Sequence, residues 1–158
     1  MKEIQLEDVR ELCEKRLKDC RLVNEDEEYS SSLNFYGTNG FYYEECWNLD
    51  VTIAALILPR LIHYRDSCVS TPAMFIQYDE EYHVINGEEA HIKWIEILNK
   101  MIDAFYLVVA GISFGSTMKE LKSISNRIDE GLNLFAKYYL SLWGLRRFKW
   151  NLIRLVLI

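Results

Sequence analysis

Apolar residues recur at helical spacing in four stretches of the chain. In residues 3–22 they follow one another at steps of three and four, which places them on one face of a helix. Residues 46–66, 88–110 and 118–143 show the same period. The sequence therefore predicts an all-α fold, with about four main helices in a compact bundle that forms a single domain over residues 1–158.

The second predicted helix, residues 46–66, is apolar on nearly all sides. Such a helix usually lies at the centre of its domain, so we expect it nearest the centre here. Asn48 is a suitable N-cap because its side chain can accept a bond from the first free backbone N–H groups. Pro59 lies inside the pattern and predicts a kink or a break at that point.

The segments between these helices lack a helical period. Near residues 33–45 and 75–86, aromatic runs and turn residues predict short hairpins or irregular segments. The role of the first helix has two interpretations, because an amphipathic helix of this length either packs on the core or forms an arm over residues 1–22.

Composition narrows the class of protein. The chain has 158 residues, of which 50% are hydrophobic, and only 7 glycines and 2 prolines, which excludes a disordered or collagen-like chain. The N-terminus lacks a secretory signal, and the longest apolar run is too short to span a membrane. The four cysteines form no CxxC pair, so we expect reduced thiols in a cytoplasm.

Charge is distributed unevenly along the chain. The net charge of −6 divides into −11 over residues 1–130 and +5 over residues 131–158. The acidic total argues against DNA or RNA as the main partner. The basic, apolar tail at 145–158 has three interpretations: a last helix packed on the acidic body, a segment that binds a partner or a membrane surface, or an edge strand or arm that forms a homo-oligomer. Its candidate partner-binding residues are Arg146, Arg147, Lys149 and Trp150.

One set of residues suits the binding of a nucleotide. Arginine side chains match phosphates and tryptophan rings stack on bases, so Arg60, Arg65, Trp47 and Trp94 are candidate ligand-binding residues. The alternative is a structural Arg–Asp network near Pro59.

Asp50 completes this candidate set, because a carboxylate among apolar residues of a helix needs a partner. Asp50 has three possible roles. Its carboxylate could stabilise the positive end of the helix dipole, form a buried ion pair with Arg60, Arg65 or Lys100, or bind a ligand.

A second set of residues suggests an enzyme. Helical nucleotide pyrophosphohydrolases hold Mg²⁺ with carboxylates at i, i+3 and i+4 on neighbouring helices. Here Glu96 and Asp103 share one helix face. Asn99 interrupts the cluster and no facing helix offers a second set of carboxylates. The sequence therefore leaves catalysis undecided but favours a protein without a metal site or a cofactor, with Glu96 and Asp103 as the alternative catalytic pair.

Three segments resemble small, uncharacterised helical proteins of tailed bacteriophages. The first is CWNLDVTIAALILPRLIHYRD, with a Trp-x-Leu-Asp start followed by Ile-Leu-Pro-Arg-Leu, and the second is WIEILNKMIDAF. EGLNLFAKYYLSLW is a weaker third match. The matching positions are Trp47, Leu49, Asp50, Ile57, Leu58, Pro59, Arg60, Leu61, Arg65, Trp94, Ile97, Leu98, Lys100, Met101, Ile102 and Phe105. The tail after Trp143 has no counterpart in this pattern.

The resemblance implies a viral accessory protein inside a bacterial host and implies no chemistry. With weak signals for catalysis, the leading expectation is a protein that acts by binding in the host cytoplasm. Its target would be a host protein that it inhibits or a nucleotide defence signal that it sequesters. The alternatives are the Mg²⁺-dependent hydrolase and a structural or assembly component of the virion.

Overall fold

The described residues of the protein form four main α-helices, which pack against one another. The structure, a computed structural model, describes residues 3–21, 39–111 and 116–142. The helices are α1 (Leu6–Arg21), α2 (Leu49–Asp66), α3 (Gly87–Ala110) and α4 (Met118–Tyr138), and the described residues form no β-strand. The all-α prediction is therefore confirmed.

The central helix is α3, not α2 as the sequence suggested. α1 and α2 pack against each other and against α3, whereas α4 packs on α3 alone among the described helices. α3 is buried on all sides around Met101–Phe105, because it is the one helix that the three others share. α1 lies on the core through Val9 and Cys13, so the described part of the first helix is not a detached arm.

Helix α2 is continuous from Leu49 to Asp66 although Pro59 lies inside it. Of the kink or break predicted at Pro59, the break is therefore not present. Asn48 occupies the N-cap position as predicted, but its side chain accepts no capping bond. Its backbone carbonyl instead accepts the first helical bond, from Thr52 N–H at 2.9 Å.

The helices α3 and α4 cross closely at Gly131. A Cβ atom at this position would collide with the methyl group of Ala104 and the backbone carbonyl of Lys100. Only glycine allows the two helix backbones to approach this closely. Gly131 lowers the helix propensity of α4, but the packing of α4 on α3 requires it.

A cluster of three aromatic rings joins the connector 67–86 to the core. The ring centroids of Phe75, Trp94 and Tyr138 lie 5.5 to 5.9 Å apart, which is the range of favourable aromatic contact. Because Phe75 belongs to the connector, these ring contacts hold the connector at this position against α3 and α4.

The two segments predicted as hairpins or irregular structure differ. In 75–86, an antiparallel bridge joins Tyr78 and Val84, which is the smallest form of a hairpin. In 33–45, only residues 39–45 are described, and Tyr43–Cys46 forms a 3-10 turn. No helix within the described ranges is long and apolar enough to cross a lipid bilayer.

Candidate functional site

Arg65 is a structural residue at the end of α2. Its side chain is 2% exposed, and its guanidinium donates to the carbonyl of Ile4, to Asn99 Oδ1 and to Asp66 Oδ1 at 3.0, 2.9 and 2.8 Å. It also lies 3.5 Å from a carboxylate oxygen of Glu3. The guanidinium thus joins three elements, and its donors are occupied by the protein itself.

Arg60 and Asp50 lie on the outer side of α2. Arg60 is exposed, and its guanidinium donates to the carbonyl of Leu56 one turn earlier. Asp50 is exposed in the first turn of the helix, where a carboxylate stabilises the positive end of the helix dipole. This placement fits the helix-start interpretation of Asp50.

The two tryptophans of the nucleotide hypothesis have opposite environments. Trp47 is 72% exposed ahead of α2, and Trp94 is wholly buried in α3. Within the described residues, the buried indole N–H of Trp94 makes no well-aligned hydrogen bond. Trp94 is therefore packed in the core with no face open to a stacking base.

The five candidate ligand-binding residues do not converge on one pocket. Asp50 and Arg65 are separated by about 22 Å along α2 at about 1.5 Å per residue. Arg60 and Arg65 point about 140° apart around the same helix. Trp47, Asp50 and Arg60 are exposed, whereas Arg65 and Trp94 are buried.

The alternative catalytic pair is likewise divided. Asp103 is buried, with a side chain that is 7% exposed, and it accepts two bonds from Arg127, at 2.9 and 2.5 Å. Glu96 is exposed two turns earlier on α3. The described ranges contain no group of three or more His, Cys, Asp or Glu side chains placed to hold a metal ion. Asp103 therefore serves as an ion-pair partner between α3 and α4.

The tail residues Arg146, Arg147, Lys149 and Trp150 lie outside the described residues. The same holds for Gly144 and for the whole of the 145–158 segment. Their role in partner binding stays a prediction.

The first exposed surface of interest is a narrow face of α2, which we call the α2 seam. It consists of Leu49, Ile53, Leu56, Arg60 and His63, which are all exposed. The steps between them alternate between four and three residues, as at the contact positions of a coiled coil. The apolar half of the seam leads into a basic half.

The second surface is the turn formed by residues 78–84. At its tip, Tyr82 is 86% exposed and adopts a φ of 64°, the one positive φ outside glycine among the described residues. An L-residue in this region is strained by about 1–2 kcal/mol. The strain requires compensating bonds nearby.

Asp79 supplies these compensating bonds. Its Oδ1 accepts the backbone N–H groups of Glu81 and His83 at 2.9 and 2.8 Å, and its Oδ2 lies 3.2 Å from His83 Nδ1. The His83 backbone bond, together with those from Glu81 N–H and the His83 side chain, lowers the pKa of the Asp79 carboxyl below its usual value. Asp79 therefore stays ionised at neutral pH and maintains the turn.

Asn86 anchors the base of the turn. Its side-chain oxygen accepts the N–H of Gln77 at 2.6 Å, and its amide donates to the carbonyl of Phe75 at 3.0 Å. Phe75 in turn packs on Trp94 and Tyr138. The turn is thus connected to the hydrophobic core through a chain of direct contacts.

The 78–84 turn combines apolar and acidic exposed groups. Tyr78, Tyr82, Val84 and Ile85 are all at least half exposed. Residues 78–89 contain five carboxylates and no lysine or arginine. Such a surface suits contact with a basic partner.

Sequence reasoning missed both Asp79 and Arg127. The Asp-Glu-Glu-Tyr-His run at 79–83 contained a usable signal, because Asp often bonds to backbone N–H groups two residues on and so forms a turn. Arg127 carried no comparable signal, since its partner Asp103 lies 24 residues away and only the packing of α3 on α4 brings them together.

Comparisons with protein-family models, with curated proteins and with solved structures find no match for this chain.

Proposed function

We propose that the chain is a tailed-phage accessory protein that acts in the host cytoplasm by binding a host protein with a basic surface. The phage assignment comes from the sequence resemblance alone. The binding mode is supported by the geometry of the 78–84 turn, and one observation carries it: the strained, bonded backbone that presents Tyr82 to solvent.

The argument starts from the cost of that presentation. Tyr82, which is 86% exposed, gains little from its own fold, while its backbone is strained and five hydrogen bonds made by the side chains of Asp79 and Asn86 hold the turn in place. Strained residues held by their surroundings cluster at functional sites. Tyrosine is also among the residues that contribute most to protein interfaces.

The charge around Tyr82 specifies the kind of partner. Glu80 and Glu81 flank the tip and are exposed, and Glu88 and Glu89 follow at the start of α3. Complementary charge increases the rate of association and selects among partners. We infer that the partner has a pocket for an aromatic ring with lysine or arginine side chains around it.

A nucleotide target and a hydrolase have less support than protein binding. Arg65, Trp94 and Asp103 are engaged inside the fold, so only part of each proposed site faces solvent. The turn needs no further group to act as a binding surface.

Photocrosslinking from the turn tests this function. Tyr82 is replaced by p-benzoylphenylalanine and the protein is irradiated in bacterial cells, with the same replacement at Tyr139 as the matched control because Tyr139 is also exposed. We expect a discrete crosslinked protein from position 82 and none of that size from position 139. The crosslink should weaken when Glu80→Gln and Glu81→Gln are added, since both changes keep Asp79 intact.

Identical crosslinking patterns from the two positions would contradict the proposal. So would a crosslink at position 82 that is insensitive to the two glutamine substitutions and to added salt, because the predicted contact depends on exposed charges.

A further inference from the structure

The α2 seam has a charge pattern that fits a second copy of itself. Leu49, Ile53 and Leu56 form its apolar half, and Arg60 and His63 form its basic half. Asp50 lies beside Leu49 and is also exposed. One end of the seam is therefore acidic and the other end basic, with apolar side chains between them.

The exposed seam also explains a discrepancy between sequence and fold. α2 is apolar on nearly all sides, which predicts burial all round, yet Ile53 is 43% and Leu49 51% exposed. In the described part of the chain, α1 and α3 cover the opposite side of α2. Within the described ranges, the apolar side chains of the seam therefore have none of the cover that their composition leads one to expect.

We propose that two copies of this chain associate through the α2 seam as an antiparallel helix pair. The two-fold axis passes between Ile53 and Leu56, so that Ile53 of each copy packs on Leu56 of the other. The alternation of four- and three-residue steps is the spacing that allows two helices to keep one contact face. A two-fold interface uses the same patch on both copies, as the single seam requires.

Charge selects the antiparallel orientation. With the axis between Ile53 and Leu56, Arg60 of one copy lies level with Leu49 of the other, within reach of the adjacent Asp50. A parallel pair would instead place Arg60 against Arg60 and Asp50 against Asp50. Like charges at such positions disfavour pairing, and opposite charges stabilise it.

The size of the seam indicates a weak dimer. Three apolar side chains and an arginine per copy amount to an interface at the small end of those found in specific complexes. The dimer is therefore reversible and concentration dependent. This inference is independent of the proposed function, because no seam residue belongs to the 78–84 turn.

Sedimentation of the full-length chain tests the dimer. We expect reversible dimerisation at concentrations up to about 200 µM, where a small interface still associates. Ile53→Asp should raise the dissociation constant at least about tenfold. Leu132→Asp is the matched control, because Leu132 has a similar exposure on α4, and it should leave association unchanged.

Charge reversal then tests the orientation and guards against a folding defect. Asp50→Arg alone and Arg60→Asp alone should each weaken the dimer, and the double variant should restore it, since the opposite charges then face each other again. Restoration in the double variant cannot arise from a general loss of structure.

Three results would overturn the inference. The first is a full-length protein that stays monomeric at the highest concentration, which would mean that another segment or another protein covers the seam. The second is a dimer that Ile53→Asp leaves intact. The third is a double variant that is as weak as the single ones, which would exclude the Asp50–Arg60 contact.

Discussion

Two buried charges connect the helices of this protein, and each depends on a partner that lies far away in sequence. Asp103 is bound by Arg127 from α4, and Arg65 is bound by Ile4, which precedes α1, and by Asn99 from α3. A buried charge that loses its partner is strongly destabilising, whereas an exposed one is tolerated. The burial of each partner therefore determines what its loss does.

The Asp103–Arg127 pair should respond unequally to loss of its two members. Arg127→Met leaves the 7% exposed Asp103 carboxylate without its partner and should lower the free energy of unfolding by about 3–5 kcal/mol. Asp103→Asn leaves the guanidinium of Arg127, which is 43% exposed, and should cost less because water can solvate it. Urea denaturation of both variants measures the difference, and equal losses would contradict the burial argument.

Arg65 and Arg60 provide a second comparison within one helix. Arg65→Met removes the buried guanidinium that donates to Ile4, Asn99 and Asp66 and should cost about 2–4 kcal/mol, since several hydrogen bonds from a charged donor are lost together. Arg60→Met changes an exposed residue and should stay within about 0.5 kcal/mol. Thermal unfolding of the two variants separates them, and Arg65→Lys should not recover stability because lysine lacks the planar set of donors. An Arg65→Met variant as stable as Arg60→Met would show that the network is dispensable.

At the scale of the elements, helix ends and helix crossings determine how α4 is held. Thr117 and Glu120 form a capping box at its start, with Thr117 N–H donating to Glu120 Oε2 at 2.7 Å and Glu120 N–H donating to Thr117 Oγ1 at 3.3 Å. Gly131 permits the close crossing with α3. The capping box joins residues that are close in sequence, whereas the need for glycine at position 131 depends on the packing of α4 against α3.

Gly131→Ala should destabilise the protein although alanine is the better helix former. The propensity gain of about 1 kcal/mol is outweighed because the methyl group would collide with Ala104 and the Lys100 carbonyl, which forces α3 and α4 apart. We expect a clear fall in melting temperature. Asn133→Ala, at an exposed position of the same helix, is the control and should be neutral or slightly stabilising. A stabilised Gly131→Ala variant would rule out the close crossing.

The capping box predicts a dependence on acid pH. The backbone and hydroxyl bonds from Thr117 lower the pKa of Glu120 below its ordinary value in the folded protein. A carboxyl whose folded pKa is lowered contributes stability above its unfolded pKa and loses it as pH falls through the folded pKa. Glu120→Gln should therefore lower the melting temperature at pH 7, with a smaller difference from the wild type below about pH 4. An equal difference at both pH values would contradict the role of the charge.

At the scale of the whole molecule, the arrangement is asymmetric around α3. Among the described helices, α1 and α2 pack against α3 and against each other, whereas α4 packs against α3 but not against α1 or α2. In the first half of α4, the apolar residues Leu121, Ile124 and Ile128 are only half-buried, whereas α3 is buried from Met101 to Phe105. Stability should therefore differ between the helices.

Native-state hydrogen exchange should follow this asymmetry. Amides of α3 between Leu98 and Phe105 should exchange slowest, near the rate set by global unfolding, and amides of α4 between Lys122 and Ile128 should exchange faster through local opening. Mass spectrometry of peptides from both helices provides the comparison. Equal protection of both segments would mean that α4 is held by contacts beyond those of α3.

Much of the architecture was predictable from the order of residues. Helix ends fell within three residues of the predicted ones at each described terminus except the end of α4, where the last predicted turn is a 3-10 turn at Tyr139–Ser141. The helix ends were predictable because the periodic patterns were long. The position of Asn48 at the start of α2 was also predictable, because it depends only on neighbouring residues. The turn residues Asn86 and Gly87 similarly marked the end of the connector.

The candidate sites were much less predictable. Arg60, Arg65, Trp47 and Trp94 have the residue types of a nucleotide site, but side-chain type does not determine which way each one faces. Arg65 lies only five residues after Arg60, and that spacing on a helix directs it into the core. Tyr82 carried no sequence signal of strain, since a positive φ arises from the bonds that Asp79 makes to the folded turn.

The sequence by itself determined that the described part of the chain is helical, where its four main helices lie, and that acidic and basic residues separate along the sequence. It did so because helical period and turn chemistry are properties of neighbouring residues. Only the tertiary structure decided that α3 is central, that Arg65 and Asp103 are internal partners, and that the α2 seam and the 78–84 turn face outward. The spacing of apolar residues shows which residues share one face of a helix. Packing between distant segments decides which helix faces contact each other.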